Sequence, residues 1–238
     1  MKKLKIGIIG VGRLGYEHAC NIANRVPGSE LVAIADANFD RAKQVAEELG
    51  VTAVYNDPKD LCADPNVEAV AIITNTASHV EMIKIAMDAG KHVFCEKPLA
   101  DTVEKCKEAE AIIAAHPELT FMLGFMRRYD HSYQVAKKKM ENGDIGDVIL
   151  VRCYSQDPIS IIEGTLEYAP RSGGQFIDMS IHDFDLIRWL TGSEVKELWA
   201  TGGCYEFKQY KDWDDGDNVS GLMKMENDAM AFFFAGRA

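Results

Sequence analysis

The chain has 238 residues, 47% hydrophobic and 26% charged, enough apolar material for a packed core and too much for a disordered polymer. Twenty-six basic residues against 37 acidic ones give a net charge of −11, which disfavours nucleic acid and anionic membrane surfaces as partners. The length predicts one large domain or two modest ones, and no apolar run approaches the about 18 residues of a membrane span.

The first half alternates strands and helices. MKKLKIGIIGVGRLGYEH starts basic, but glycines and then Arg13 and Glu17 break its apolar stretch, so it reads as a first strand over 3–9 and not as a signal peptide. A glycine cluster opens an amphipathic helix over 14–26. A strand over 31–35, a helix over 38–49, a strand over 69–73 and a strand over 92–95 follow. Asp57-Pro58 and Asp64-Pro65 each resemble a helix start with proline at the first position. Ser78 with Glu81, and Asp101 with Glu104, have capping-box spacing and predict helices ending near Gly90 and Ala115. A strand over 120–125 closes the series. Short, continuously apolar strands separated by helices predict a doubly wound α/β domain with a parallel sheet over residues 1–124.

Residues 125–238 predict a second α+β domain. A basic helix over 133–141 precedes an alternating strand over 147–154. An irregular stretch with Pro158, Pro170 and Gly173-Gly174 leads into a helix over 179–190. Strand-type runs over 195–200, 219–225 and 230–234 predict a mostly antiparallel sheet with one face covered, with Asn227-Asp228 as a hairpin turn. YKDWDDGD reads as a solvated acidic loop. Six cysteines (Cys20, Cys62, Cys95, Cys106, Cys153, Cys204) lack any C-x-x-C pair, which fits neither a zinc site nor a disulfide framework and predicts a reducing, cytoplasmic location.

Gly10-Val11-Gly12-Arg13-Leu14-Gly15 matches G-x-G-x-x-G directly between a strand and a helix, and Asp36 stands 21 residues after Gly15, at the end of the second strand. Glycines allow a tight turn and close approach of backbone amides to a pyrophosphate, and Asp36 would accept bonds from the ribose hydroxyls. A carboxylate there repels a 2′-phosphate, so NAD is expected over NADP, with Arg41 placed on the outer face of its helix.

Asp178 and His182 are four apart at a helix start and share a face. The pair suits proton transfer near neutrality, or is simply a polar contact on a helix surface. Asp185 extends the stripe, but zinc would want more histidine or cysteine ligands, so no metal is expected. Lys97, in Cys95-Glu96-Lys97-Pro98, follows a strand at the end where open α/β sheets bind ligands, or is a surface lysine beside a loop proline. Asp157 reads as a substrate contact or as an Asx turn before Pro158. His79 and His92 read as structural.

GIIGVGRLG, the Glu96–Pro98 triplet, GFMRRYD at 124–130 and GGQFIDMSIHDFDLIRWL at 173–190 together resemble the Gfo/Idh/MocA oxidoreductases, with most similarity to the inositol and scyllo-inositol dehydrogenases among them. The resemblance covers the whole chain. It implies Lys97, Asp178 and His182 as the catalytic set, and Arg127 facing cofactor and substrate. It also implies cofactor contacts from Gly10, Gly12, Arg13, Leu14, Gly15, the Thr74-Asn75-Thr76 turn and Glu96. The implied reaction is NAD-dependent oxidation of a cyclic polyol to a ketone, in a homo-oligomer built through the second sheet. Other readings remain open: an oxidoreductase for another sugar or aminopolyol, an NAD-using glycosidase of the same fold, and a dinucleotide-binding sensor without catalysis. Family members generally continue beyond the segment at 229–238. A truncated second domain is therefore expected, with 230–234 left as an exposed edge strand carrying Phe232, Phe233 and Phe234.

Overall fold

In the computed structural model, which describes residues 2–237, the chain divides into two units, Met1–Gly124 and Phe125–Ala238. The first begins β1 (Leu4–Ile9), α1 (Arg13–Asn24), β2 (Ser29–Ala35), α2 (Phe39–Leu49), β3 (Ala53–Tyr55) and α3 (Pro58–Ala63). It continues with β4 (Ala69–Ile72), α4 (His79–Asp88), β5 (His92–Cys95), α5 (Val103–Ala114) and β6 (Phe121–Leu123). The strands form one parallel sheet in the order β3-β2-β1-β4-β5-β6. Successive strand residues face opposite sides, and both sides are covered. Ile8, Ile34 and Ala71 pack with Ala19, Ala42 and Val45 of α1 and α2. Ile9, Ala33, Val70 and Ile72 pack with Leu61, Ile83 and Ala109 of α3 to α5. Burial on two faces is why these strands read as continuous apolar runs without alternation.

Several boundaries differ from expectation. The three residues of β3 are too few to show a periodicity, and the strand is recognisable only by its pairing with β2. Asp64-Pro65 starts no helix. Asp64 ends α3, and its Oδ1 accepts from the Asn66 amide in a turn. The cap of α5 is Thr102, whose side chain accepts from the Lys105 amide, while Asp101 pairs with the Lys105 ammonium. Ser78 makes no side-chain cap to α4. Its Oγ donates to Asn75 O at 2.9 Å, within a 3₁₀ turn over Thr76–Ser78.

The second unit contains α6 (His131–Glu141), β7 (Leu150–Gln156), α7 (Ile162–Tyr168), a π-helical turn over Phe176–Ser180, α8 (Ile181–Thr191), β8 (Val195–Gly203), β9 (Asn218–Met225) and β10 (Met230–Gly236). The sheet order is β7-β10-β9-β8, antiparallel except for the parallel pairing of β10 with β7. The expectation that 230–234 forms an edge is therefore overturned: β10 is an inner strand, paired along its length on both sides. Phe233 is fully buried and packs edge-to-face on Phe176 and Phe184. Val151, Cys153, Met223 and Ala231 complete the face that α8 covers with Leu186 and Ile187. The stretch expected to be irregular contains α7. The acidic loop is not simply solvated either: it includes a 3₁₀ helix over Lys208–Trp213, and Tyr210 and Asp217 are fully buried. Asp217 accepts from the amides of Tyr205, Glu206 and Phe207, which satisfies a turn that would otherwise bury open donors. Among the described residues no helix is long and apolar enough to cross a membrane.

Candidate active site

In the first unit the candidates gather at the carboxyl ends of the strands. Gly10 follows β1, the Thr74-Asn75-Thr76 turn follows β4, and these two strands are neighbours whose connections leave in opposite directions, the switch point where open α/β sheets bind ligands. Gly10 has φ +90°, and a Cβ there would lie 2.6 Å from Ile73 O. A Cβ on Gly15 would lie 2.0 Å from Gly10 O, so α1 can leave the loop this closely only with glycine there. Gly12 caps α1 without a side-chain hydrogen bond, and the first turn has no acidic residue. The positive end of the helix, with Arg13 and Leu14 in its first turn, is thus left to an anionic ligand, which fits a dinucleotide pyrophosphate.

Asp36 Oδ2 accepts from the Val11 amide at 2.7 Å and Oδ1 from the Asn38 amide at 2.8 Å. It braces the glycine loop while keeping further lone pairs for a ribose. Arg41 does not lie out on its helix as expected. Its Nε donates to Val11 O at 3.2 Å and its guanidinium lies 5.1 Å from the Tyr16 ring centroid, so two attractions hold it against the loop.

Glu96 Oε2 accepts from the Lys97 amide at 3.0 Å, and Oε1 meets His18 Nε2 at 2.9 Å. Burial pushes the Glu96 carboxyl up, but His18 and Lys97 outweigh it and hold the group below the usual carboxylate range. The anion fixes the backbone from which Lys97 projects. His79, 1% exposed, links the other two loops: Nδ1 is 2.8 Å from Pro98 O and Nε2 is 3.3 Å from Thr74 O. His92 Nδ1 accepts from the Thr120 amide, the structural role expected of it.

In the second unit Asp178 lies in the π turn and His182 in the first turn of α8. A π turn is wider than an α turn, and such insertions recur at functional sites. Asp215 holds its start, both carboxylate oxygens lying within 3.1 Å of the Gln175 amide. Arg237, 4% exposed, donates from Nη2 to Asp178 Oδ2 at 2.6 Å and from Nη1 to Asp157 Oδ2 at 2.9 Å. Asp157 is therefore an ion-pair partner of Arg237, 80 positions away.

Arg127 Nη1 pairs with the fully buried Asp183, and Nη2 donates to Ser155 Oγ at 2.6 Å. Arg128 holds both oxygens of Asp185 through Nε and Nη2, at 2.8 and 2.7 Å. Asp185 is thereby committed to arginine and does not extend the Asp178–His182 stripe. A cavity of about 530 Å³ lined by Met140, Val148, Leu190 and Ala229 contains none of the candidate residues.

Residue spacing pointed to Asp178 and His182 but not to Arg237, Asp183, Ser155 or Asp215. Their partners lie 28 to 80 positions away, and no local pattern marks such pairs.

Residues 4–125 match the oxidoreductase family with an NAD-binding Rossmann fold (GFO_IDH_MocA), and residues 133–238 match the GFO/IDH/MocA C-terminal domain. The chain is 37% identical over 234 residues to myo-inositol 2-dehydrogenase of Thermotoga maritima, covering 95% of this chain and 66% of that protein. It is 38% identical over 217 residues to the NAD(+) scyllo-inositol 2-dehydrogenase of Bacillus subtilis, covering 89% of this chain and 62% of that protein. The chain thus spans less than two thirds of the length of these relatives. The crystal structure of scyllo-inositol dehydrogenase from Lactobacillus casei with bound NAD(H) and scyllo-inositol superposes with a TM-score of 0.93 at 40% identity, over 99% of this chain and 70% of that one. The glycine loop with its acidic brace, the two-unit fold and these similarities lead to one conclusion: the chain belongs to the Gfo/Idh/MocA family of oxidoreductases.

Proposed function

We propose that the protein is an NAD-dependent dehydrogenase that oxidises a cyclic polyol of the inositol type to the corresponding ketone. The observation that carries this reading is the coexistence in one chain of a braced phosphate loop and, four residues before His182, an Asp178 carboxylate held by a buried arginine. Similarity to enzymes named for myo- and scyllo-inositol supplies the substrate class.

Bound NAD supplies the hydride acceptor. His182 accepts the proton of the substrate hydroxyl, and Asp178 orients the ring and stabilises the imidazolium. Lys97, presented by the Glu96-anchored loop, donates to the same oxygen and offsets its developing negative charge. Arg13, Leu14 and the loop glycines Gly10, Gly12 and Gly15 hold the pyrophosphate, Asp36 the ribose, and Thr74, Asn75 and Glu96 line the cofactor side. Arg127 and Asp157 orient substrate hydroxyls, and Arg127 also borders the cofactor. A thiol nucleophile has no place in this scheme. Burial pushes Cys62 up to about 11 and Cys153 up to about 12, so both stay protonated.

An apolar row on the outer face of the second sheet supports assembly into a homo-oligomer. Trp199, Leu222 and Phe232 are cross-strand neighbours in one row there, and Trp199 and Leu222 are 62% and 55% exposed. The six free cysteines support a reducing cytoplasm as its location. The test is NAD reduction followed by reduced-nicotinamide absorbance with myo-inositol, scyllo-inositol, other sugars and glycosides. Inositol-dependent reduction is expected. Glycoside cleavage, or NAD binding without turnover on any polyol, would reject the assignment.

A further inference from the structure

We propose that Arg237 is a positioning residue for this reaction: its single guanidinium clamps Asp157 and Asp178 together, so that a cation stands against Asp178 four residues before His182, the proton acceptor. The inference deepens the polyol dehydrogenase reading and rests on it.

The geometry is that of a fork between two acids. Nη1 serves Asp157 at the end of β7, Nη2 serves Asp178 in the π turn, and the arginine follows directly on β10. Its side chain is 5% exposed, and those of Asp157 and Asp178 are 21% and 15% exposed. Screening by water is therefore weak, and the three groups carry a net charge of −1. Tyr210 from the 3₁₀ helix stands beside the guanidinium, and Asp215 faces Tyr210. His182 lies four residues beyond Asp178 on α8. Burial pushes Arg237 down, but Asp178 and Asp157 outweigh it and push it up, so the cation persists at every working pH.

Without this cation two adjacent carboxylates repel, and one of them takes up a proton at higher pH than before. Loss of the positive charge also makes His182 easier to protonate. Both effects move the acidic limb of polyol oxidation upward, because the reaction needs neutral His182 beside ionised Asp178. A purely structural clamp would change thermal stability and leave that limb in place.

The test compares R237Q and R237K with the unaltered protein. In R237Q the acidic limb of kcat/KM is expected to rise by about one pH unit, with kcat down about tenfold or more and NAD affinity unchanged. In R237K the charge remains but the fork is lost, so the limb stays while kcat falls. Titration of His182 by NMR on histidine-labelled protein, assigned with H182A, reads the same shift without turnover. If R237Q is unfolded by circular dichroism, R237M replaces it, removing the charge while keeping a buried stem of similar length, with the same rise expected. A limb and a His182 titration that match the unaltered protein would overturn the proposal while leaving the reaction intact. A raised His182 titration in R237Q, in a protein without inositol turnover, would uphold Arg237 and overturn the reaction.

Discussion

Arg127 and Asp183 form an ion pair in which the acid is fully buried and the arginine side chain is 17% exposed, with Ser155 Oγ bonded to both partners. The pair ties the segment after β6 to α8, and Ser155 brings in β7. Removing one partner leaves the other charge buried and uncompensated. Asp183→Ala is expected to destabilise the second unit by about 3–5 kcal/mol, read from urea unfolding followed by tryptophan fluorescence. A loss below about 1 kcal/mol would place the pair among the weakly coupled surface contacts.

Gly15→Ala tests the phosphate loop. The new methyl would sit 2.0 Å from Gly10 O, so the loop or the start of α1 must shift by more than an ångström. Binding of NAD, measured by calorimetry, is expected to weaken about a hundredfold or more, since the loop amides converge on one phosphate position. The far-UV spectrum should be retained, because the remaining sheet is untouched.

His79 predicts a pH dependence of stability. Burial lowers its pKa, with the carbonyls of Pro98 and Thr74 opposing more weakly. A neutral ring can donate from only one nitrogen, and the 2.8 Å bond to Pro98 O is the shorter one. With a folded-state pKa below the unfolded value of about 6.5, the unfolded chain binds a proton that the native chain does not. Stability is therefore full above that pH and declines as pH falls towards the folded-state value. His79→Asn should remove this slope between about pH 5 and 6.5, above the range where carboxylates titrate. Denaturant midpoints in both proteins check it.

The outer face of the second sheet predicts an association that charge will break. Trp199→Lys together with Leu222→Lys places two cations in its apolar row, which the exposed pair tolerates in a monomer. Lower mass by light scattering with unchanged circular dichroism is expected. An unaltered mass would remove this face from the assembly.

Local pattern was enough for most of the first unit. The glycine loop, Asp36 and the strand–helix alternation are short-range features, and a sheet buried on both faces needs apolar strands whatever their partners. β3 escaped because three residues carry no period. The second unit was harder. The run at 230–234 has the composition of a strand, but whether a strand is edge or interior depends on its neighbours, and the parallel partner β7 lies some 80 residues earlier. Asp157 beside proline looked like a substrate contact or a turn residue, and neither reading foresaw its ion pair with Arg237, 80 positions away.

The sequence by itself determined the cofactor loop, the Asp178–His182 spacing and the division near residue 124, because backbone sterics and helical periodicity act over a few residues. Tertiary structure alone decided which charges those residues meet. Arg237 with Asp157 and Asp178, and Arg127 with Asp183, are pairs between distant segments. Burial makes such pairs obligatory, since a charge removed from water must find its counter-charge wherever the fold brings one, and nothing in the local pattern says where that will be.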